Sequence, residues 1–198
     1  MNPEVLLSRI RVVLCRTSHP GNIGAAARAM KTMGLSNLYL VQPKKFPDPE
    51  ADTRATGAVD VLQRAIIASS LNEALVGTSF VVALSARQRD IGPVLGAPRE
   101  TVARLLAEAG QGDVALVFGN ETVGLSNEEI LHCQAAVTIP TNPDFSSLNL
   151  GSAVQVLCYE CRMAAFAERP PQLEAGDTPF SSAVATHDEV EGLYTHLE

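Results

Sequence analysis

The densest group of polar side chains that could do chemistry lies just ahead of the longest apolar stretch. Ser146, Ser147 and Asn149 follow a polar loop that begins after Ile139 and Pro140. Hydroxyl and amide groups at the start of a helix are costly to bury unless they bond to the backbone or to a ligand. Helix capping by Ser146 or Ser147 is the alternative interpretation, but it accounts for one serine only. The group therefore predicts a ligand site.

A second candidate site begins where the apolar run Val114–Phe118 meets Gly119, Asn120 and Glu121. In open α/β sheets ligands bind at the carboxyl ends of the strands, and a glycine there lets backbone amides approach a flat ligand. Because Glu121 would repel a phosphate, it suits a ribose-bearing or cationic ligand, or a partner arginine. A tight turn with a capping acid is an equally good interpretation of these residues.

A third motif, Ser18–Gly34, follows the first apolar run and contains Gly21 and Gly24. Their spacing differs from the G-x-G-x-x-G of dinucleotide-binding folds, and the acidic residue expected about 20 positions later is missing. A nucleotide-dependent oxidoreductase is therefore disfavoured. Asn22 is predicted to cap a helix, and Arg28 stands among alanines. Taken alone, Arg28 is better interpreted as a solvent-facing arginine.

The elements that position these residues follow from the apolar pattern. Short, continuous apolar runs are typical of strands buried on both faces of a parallel sheet. Stretches with helical spacing separate them, and this alternation predicts an α/β fold. The predicted strands are Ile10–Cys15, Leu38–Val41, Phe80–Leu84, Val114–Phe118 and Ala135–Ile139. The predicted helices are Ile23–Met33 (ending at Gly34), Ala58–Ser69, Pro98–Ala109 and Ser147–Ala167.

The character of the chain changes near its C-terminus. Residues 1–168 are predicted to form one domain, 169–185 a proline-rich linker, and 186–198 the start of a helical extension that is cut short. Residues 168–198 carry seven acidic side chains and one basic one, and therefore most of the net charge of −7. The near-neutral remainder can still present a basic face to a polyanion.

Composition also narrows the cellular location. No apolar run approaches the roughly 20 residues of a membrane span, and the N-terminus lacks the pattern of a secretory signal. The four cysteines do not resemble a disulfide framework. We therefore predict a cytoplasmic protein with no membrane partner. Cys158 and Cys161 lie in an apolar helix without a second cysteine pair, which favours packing over a metal site.

Three segments together resemble a known family. NIGAAARAM, VFGNETVGLSNEE and IPTNPDFSSLNLGSAVQVLCYE are similar to motifs one, two and three of the TrmH-like branch of SPOUT RNA methyltransferases. They occur in the family's order and cover most of residues 10–165. The PTNPDFSSLNL version, with SARQRD at Ser85–Asp90, most resembles the TrmJ-type subgroup. That subgroup methylates the ribose 2′-hydroxyl of tRNA anticodon-loop nucleotide 32, a C or a U, using S-adenosyl-L-methionine (SAM).

Two alternatives stay open beside this expectation. The first is 2′-O-methylation of another tRNA or rRNA nucleotide. The second is a non-catalytic RNA-binding module with the same fold. A replaced Gly119, or a bulky side chain in the Ser146–Leu148 turn, would favour the module, and the sequence has neither.

The resemblance implies a fold and a cofactor site. The family fold is a mostly parallel sheet flanked by helices, with a C-terminal deep trefoil knot that holds SAM. By matching position, the cofactor-binding residues are Leu84, Ser85, Ala86, Gly119, Asn120, Glu121, Ile139, Pro140, Ser146, Ser147, Leu148 and Asn149.

The resemblance also implies catalytic residues and partners. Because a guanidinium stays protonated, Arg28 is expected to bind a phosphate and stabilise developing oxyanion charge rather than act as a base. Ser147 and Asn149 would orient the ribose. The family works as a homodimer with the active site at the subunit interface, and we expect the first and the last long helices to form the contact. The partner is tRNA and not DNA, and the RNA-binding residues are Arg16, Asn22, Arg28, Lys31, Arg87 and Arg89.

Overall fold

The computed structural model describes residues 2–86 and 92–167. Their strands are β1 Ile10–Cys15, β2 Asn37–Val41, β3 Ile66–Ala68, β4 Thr78–Leu84, β5 Leu95–Gly96, β6 Asp113–Phe118 and β7 Ala135–Val137. Their α-helices are α1 Pro3–Ser8, α2 Pro20–Met33, α3 Pro49–Ala55, α4 Val59–Gln63, α5 Leu71–Leu75, α6 Pro98–Ala109, α7 Asn127–Leu131 and α8 Leu150–Ala165.

The seven strands form one parallel sheet in the order β3-β2-β1-β6-β4-β7-β5. Side chains alternate between its two faces, so Val12 and Leu14 of β1 enter one core cluster, whereas Val13 and Cys15 enter the other. Residues of α2, α3, α6 and α8 belong to the first cluster and residues of α5 and α7 to the second. Both faces are thus covered, which is why the strands are continuously apolar. The α/β prediction is confirmed.

Helix α2 begins earlier than predicted. It starts at Pro20, with His19 in the N-cap position, and Pro is well suited to a first turn because it lacks the N–H that would go unsatisfied there. Asn22 therefore lies inside the first turn, and the prediction that it caps the helix is wrong. The predicted end is confirmed, since Gly34 has a left-handed φ of 87° and its N–H bonds back to Lys31.

Two other predicted helices have different bounds. Ala58–Ser69 is wrong in its second half: after the short α4, the adjacent Ile66 and Ile67 lie in the edge strand β3, paired with β2. β-Branched neighbours fit an open strand better than a helix. The last helix starts at Leu150 rather than Ser147, because Asn149 is the N-cap and its Oδ1 accepts the N–H of Gly151 at 2.9 Å. Helix α6, Pro98–Ala109, matches the prediction.

Small residues let α2 pack closely between two neighbours. A Cβ built on Gly24 would lie 2.1 Å from the carbonyl oxygen of Ala51 in α3. A Cβ built on Gly151 of α8 would lie 2.7 Å from the Cβ of Ala25 in α2. Neither position can accept a side chain without a backbone shift. The glycines and alanines of the first motif are therefore packing residues of this layer.

Several predictions fall on residues outside the described ranges. These are Arg87, Arg89, the linker at 169–185 and the helical extension at 186–198. The trefoil knot also stays a prediction. Among the helices of the described residues, none has the length and apolar character needed to cross a membrane.

Candidate active site

A cavity of about 650 Å³ opens at the carboxyl ends of three neighbouring strands, β4, β6 and β7. Residues of three loops and of the start of α8 line it. This is the edge of a parallel sheet at which ligands bind in α/β folds. Its lining consists of Leu84, Ser85, Ala86, Phe118, Gly119, Asn120, Glu121, Thr122, Val123, Gly124, Leu125, Thr138, Ile139, Pro140, Thr141, Ser146, Ser147, Leu148, Leu150 and Ala153.

The cavity gathers every predicted cofactor residue except Asn149. Sequence reasoning missed Phe118, Thr122–Leu125, Thr138 and Thr141, which belong to the same strand ends and loops, and Leu150 and Ala153, which lie in the first turns of α8. Helical spacing was the signal for the last two, because residues 150 and 153 share one face of a helix. The second and third motifs and the loop after β4 therefore meet in one cavity, which the first motif does not line.

Gly119 is required by the loop itself. A Cβ on Gly119 would lie 2.2 Å from both the carbonyl carbon of Gly124 and the backbone nitrogen of Leu125. The loop folds back on itself through the bond from the N–H of Gly124 to the carbonyl of Asn120 at 2.8 Å, and Gly124 has a φ of 69°. The sequence interpretation was that glycine gives a ligand room. The structure shows that this residue packs against its own loop, and room for a ligand stays a prediction.

Glu121 is directed at the turn between β1 and α2. Its carboxylate accepts the backbone N–H of Ser18 at 2.9 Å, the N–H of His19 at 3.2 Å and the Nδ2 amide of Asn22 at 2.9 Å. Partial burial raises the pKa of Glu121, but these hydrogen bonds outweigh it and leave the pKa below its ordinary value. The sequence allowed Glu121 to be a ligand-binding acid or a capping acid, and its contacts are those of a capping acid.

A short chain of hydrogen bonds ties the three motifs together. The Nδ2 amide of Asn149 donates to Oδ1 of Asn22 at 2.9 Å, and Asn22 in turn donates to Glu121. Asn149 thus bonds to the first motif while it caps α8. This explains why Asn149 stands outside the cavity lining. The chain fixes the start of α8 against the start of α2.

Arg28 lies apart from the cavity. It is exposed on α2 and borders a second cleft, formed with residues of α3. Among the described residues it has no ion pair. Within one chain the predicted catalytic residues are therefore not brought together, because Ser147 lines the cavity, Asn149 bonds to Asn22, and Arg28 faces elsewhere.

Two predicted RNA-binding cations are engaged by acids of the same chain. The guanidinium of Arg16 contacts Glu129 at 2.7 Å, and the ammonium of Lys31 contacts Asp60 at 2.7 Å. Pairing reduces the charge that either residue offers to a phosphate.

Cys158 and Cys161 pack in the core of α8, in agreement with the packing interpretation. Burial raises the pKa of the Cys161 thiol to about 12 and also raises that of Cys158. Both are therefore thiols, not thiolates, at neutral pH.

The chain is similar to known methyltransferases over nearly its whole length. It is 52% identical to a tRNA (cytidine/uridine/adenosine-2′-O-)-methyltransferase TrmJ of Pseudomonas aeruginosa (strain UCBPP-PA14), covering 98% of this chain and 77% of that protein. It is 50% identical to the tRNA (cytidine/uridine-2′-O-)-methyltransferase TrmJ of Escherichia coli (strain K12), covering 98% and 78%. The crystal structure of TrmJ from Z. mobilis ZM4 superposes with a TM-score of 0.72 at 36% identity, covering 77% of this chain and 67% of that one. Residues 9–159 match the SpoU rRNA Methylase family, and the chain belongs to that family.

Proposed function

We propose that this protein is a SAM-dependent methyltransferase that methylates the ribose 2′-hydroxyl of a tRNA nucleotide, and that the nucleotide is C or U at position 32. The observation that carries the proposal is the cavity at the carboxyl ends of β4, β6 and β7, because the second and third motifs and the loop after β4 line it. The first motif is joined to this cavity through the hydrogen bonds of Asn22 to Glu121 and Asn149. The names of the two TrmJ relatives supply the substrate class and the 2′-oxygen. A tRNA substrate also supports the cytoplasmic location that the sequence predicts.

The cavity suits SAM in size and in chemistry. Ligand sites of this kind typically enclose about 300–1,000 Å³ and combine apolar walls with a few polar groups. Leu84, Ile139 and Leu148 offer apolar contacts to an adenine ring, while the hydroxyls of Thr138 and Thr141 are hydrogen-bonding groups on the same wall. When bound, SAM supplies a methyl group carried by a positively charged sulfur.

The chain's own residues bind and orient the nucleotide. Ser147 lies on the cavity wall, where its hydroxyl can hydrogen-bond the target ribose. Asn149, held by Asn22, keeps this turn in place at the start of α8. Arg28 binds the phosphate next to the target and stabilises negative charge that develops on the 2′-oxygen.

A homodimer completes the site in this proposal. Arg28 does not line the cavity of its own chain, so it can serve the cavity of a second copy. Helix α8 offers a contact surface, because Tyr159 and Met163 are 45% and 41% exposed and Phe166, at its end, is 39% exposed. These residues are spaced i, i+4 and i+7, which places them on one face. Apolar side chains on one face of a helix favour burial against a partner.

Calorimetric titration of SAM into a cavity-blocking variant tests the cofactor site. Ser146 is exposed and lines the cavity, so Ser146→Trp fills it without disturbing the core. We expect the Kd for SAM to rise at least tenfold, about 1.4 kcal/mol. Val76→Trp is the matched control, because Val76 is 71% exposed and does not line the cavity. If the unaltered protein binds no SAM, the enzyme proposal fails and the non-catalytic RNA-binding module becomes the better account.

A further inference from the structure

A second cleft, of about 600 Å³, lies between α2 and α3. It is lined by Arg28, Pro49, Glu50, Thr53, Arg54 and Thr56. Arg28 is the only one of these residues that lies in the three motifs. The cleft therefore adds residues to the surroundings of the proposed catalytic arginine.

Because α3 packs closely on α2, Arg54 lies against the face of α2 that carries Arg28. Gly21, Gly24 and Arg28 are spaced i, i+3 and i+7, so they share one face of α2. A Cβ on Gly24 would lie 2.9 Å from the Cβ of Arg54, and a Cβ on Gly21 would lie 3.4 Å from its Cγ. The stem of Arg54 thus runs along the glycines of the face on which Arg28 stands.

The two arginines of the cleft differ from neighbouring cations in having no acidic partner among the described residues. Lys31 contacts Asp60 at 2.7 Å, and Arg64 contacts the same carboxylate at 2.7 Å. Arg28 and Arg54 are both exposed, and the described residues give neither an ion pair nor a side-chain hydrogen bond. The third charged group of the cleft is Glu50, whose Oε1 would lie 2.7 Å from a Cβ on Gly21.

We propose that Arg54 is a second phosphate-binding residue, and that a phosphodiester of the tRNA backbone binds in this cleft between Arg54 and Arg28. The inference rests on the proposed function and extends it to a residue outside the three motifs. Guanidinium groups match phosphate oxygens with paired N–H donors. Two of them on adjoining helices make an anion site, and the carboxylate of Glu50 limits its strength by repulsion.

The first test is tRNA binding by the full chain with Arg54→Ala, measured as Kd against salt concentration. Loss of one phosphate contact is expected to raise the Kd roughly 3- to 10-fold near physiological salt and to reduce the slope of log K against log salt by about one. SAM affinity should be unchanged, because Arg54 does not line the SAM cavity. Arg54→Lys should recover part of the affinity, since it keeps the charge.

Glu50→Gln should change the Kd for tRNA in the opposite direction to Arg54→Ala. Removing this carboxylate should tighten tRNA binding about 2- to 5-fold, since the phosphate no longer meets a like charge. A merely structural role of the cleft would not produce opposite shifts from Arg54→Ala and Glu50→Gln. Arg64→Ala is the matched control, because Arg64 is exposed, pairs with Asp60 and lies outside the cleft. It should leave the salt slope close to that of the unaltered protein.

Two outcomes separate this inference from the proposed function. If the unaltered protein methylates tRNA while Arg54→Ala binds tRNA with an unchanged Kd and salt slope, the cleft proposal is overturned and the function stands. If the unaltered protein binds SAM and tRNA but transfers no methyl group, the proposed function is overturned, whatever Arg54 does. Unchanged melting temperatures of the variants establish that binding losses do not come from unfolding.

Discussion

Arg28 projects from α2 with no ion pair to any described residue and stands outside the SAM cavity of its own chain. Arg28→Ala should therefore leave the Kd for SAM unchanged. It should lower kcat about 10²- to 10³-fold, the usual effect of removing one group that stabilises an oxyanion. Steady-state methyl transfer beside calorimetric SAM binding checks both expectations. Normal turnover by the variant would remove Arg28 from the mechanism.

Glu121 lends itself to a pH test, because its carboxylate accepts several N–H donors in the folded state. Glu121→Gln replaces one acceptor oxygen by a donor, so we expect a loss of about 1–2 kcal/mol in the free energy of unfolding at pH 7. The hydrogen bonds lower the pKa of Glu121 in the folded state below its ordinary value. The ionised carboxylate therefore stabilises the fold fully above the ordinary pKa, and this stabilisation is lost as pH falls through the folded-state pKa.

Urea unfolding of both proteins between pH 7 and pH 3 measures this difference. The gap between the unaltered protein and Glu121→Gln should be largest at pH 7 and should narrow below about pH 4. A gap that is the same at every pH would show that the ionised carboxylate is not what stabilises the β1–α2 turn.

Single residues were predictable where a motif named them and not where a distant partner decides their contacts. The cavity residues Gly119 and Ile139 were identified from the motifs, and Leu84 from its matching position in the family. Nothing local indicated that Glu121 reaches Asn22, because these residues are 99 positions apart and meet only after β1 and β6 pair.

At the scale of elements, α2 packs closely against α3 and α8 because the residues at these contacts are glycine and alanine. Gly24→Ala places a Cβ against the carbonyl of Ala51, so it should lower the free energy of unfolding by about 1–3 kcal/mol. Gly57→Ala is the matched control, because a Cβ there meets nothing within 4 Å. Denaturant unfolding of the two variants checks the contrast. Equal stabilities would contradict the close packing of α2 on α3.

Long elements were easier to predict than short ones. The runs of β1 and β6 and the helix α6 were found almost to the residue, because their apolar patterns extend over several turns or a whole buried strand. The short helices α3 and α5 and the edge strand β3 were missed. Five to seven residues carry too little periodicity for a helix, and the three apolar residues of β3 were too few to be distinguished from the helix predicted around them.

At the scale of the whole molecule, the order of strands places the three motifs on one edge of the sheet. β6 and β4 are neighbours in the sheet, as are β4 and β7, so their carboxyl ends enclose one cavity. The alternation of strands and helices predicted the α/β class, but only the pairing of distant strands decides this order. Membership in the SpoU rRNA Methylase family agrees with the α/β class and with the strand order.

The central claim is that this protein methylates the ribose of tRNA, with SAM bound in this cavity and Arg28 bound to a phosphate of the tRNA. The most direct test supplies SAM with a labelled methyl group to bulk tRNA that lacks its own modification, then maps the labelled nucleotide. The account predicts label on the 2′-oxygen of C or U at nucleotide 32. Efficient SAM and tRNA binding without any transfer of label, or label on a base instead of a ribose, would contradict it.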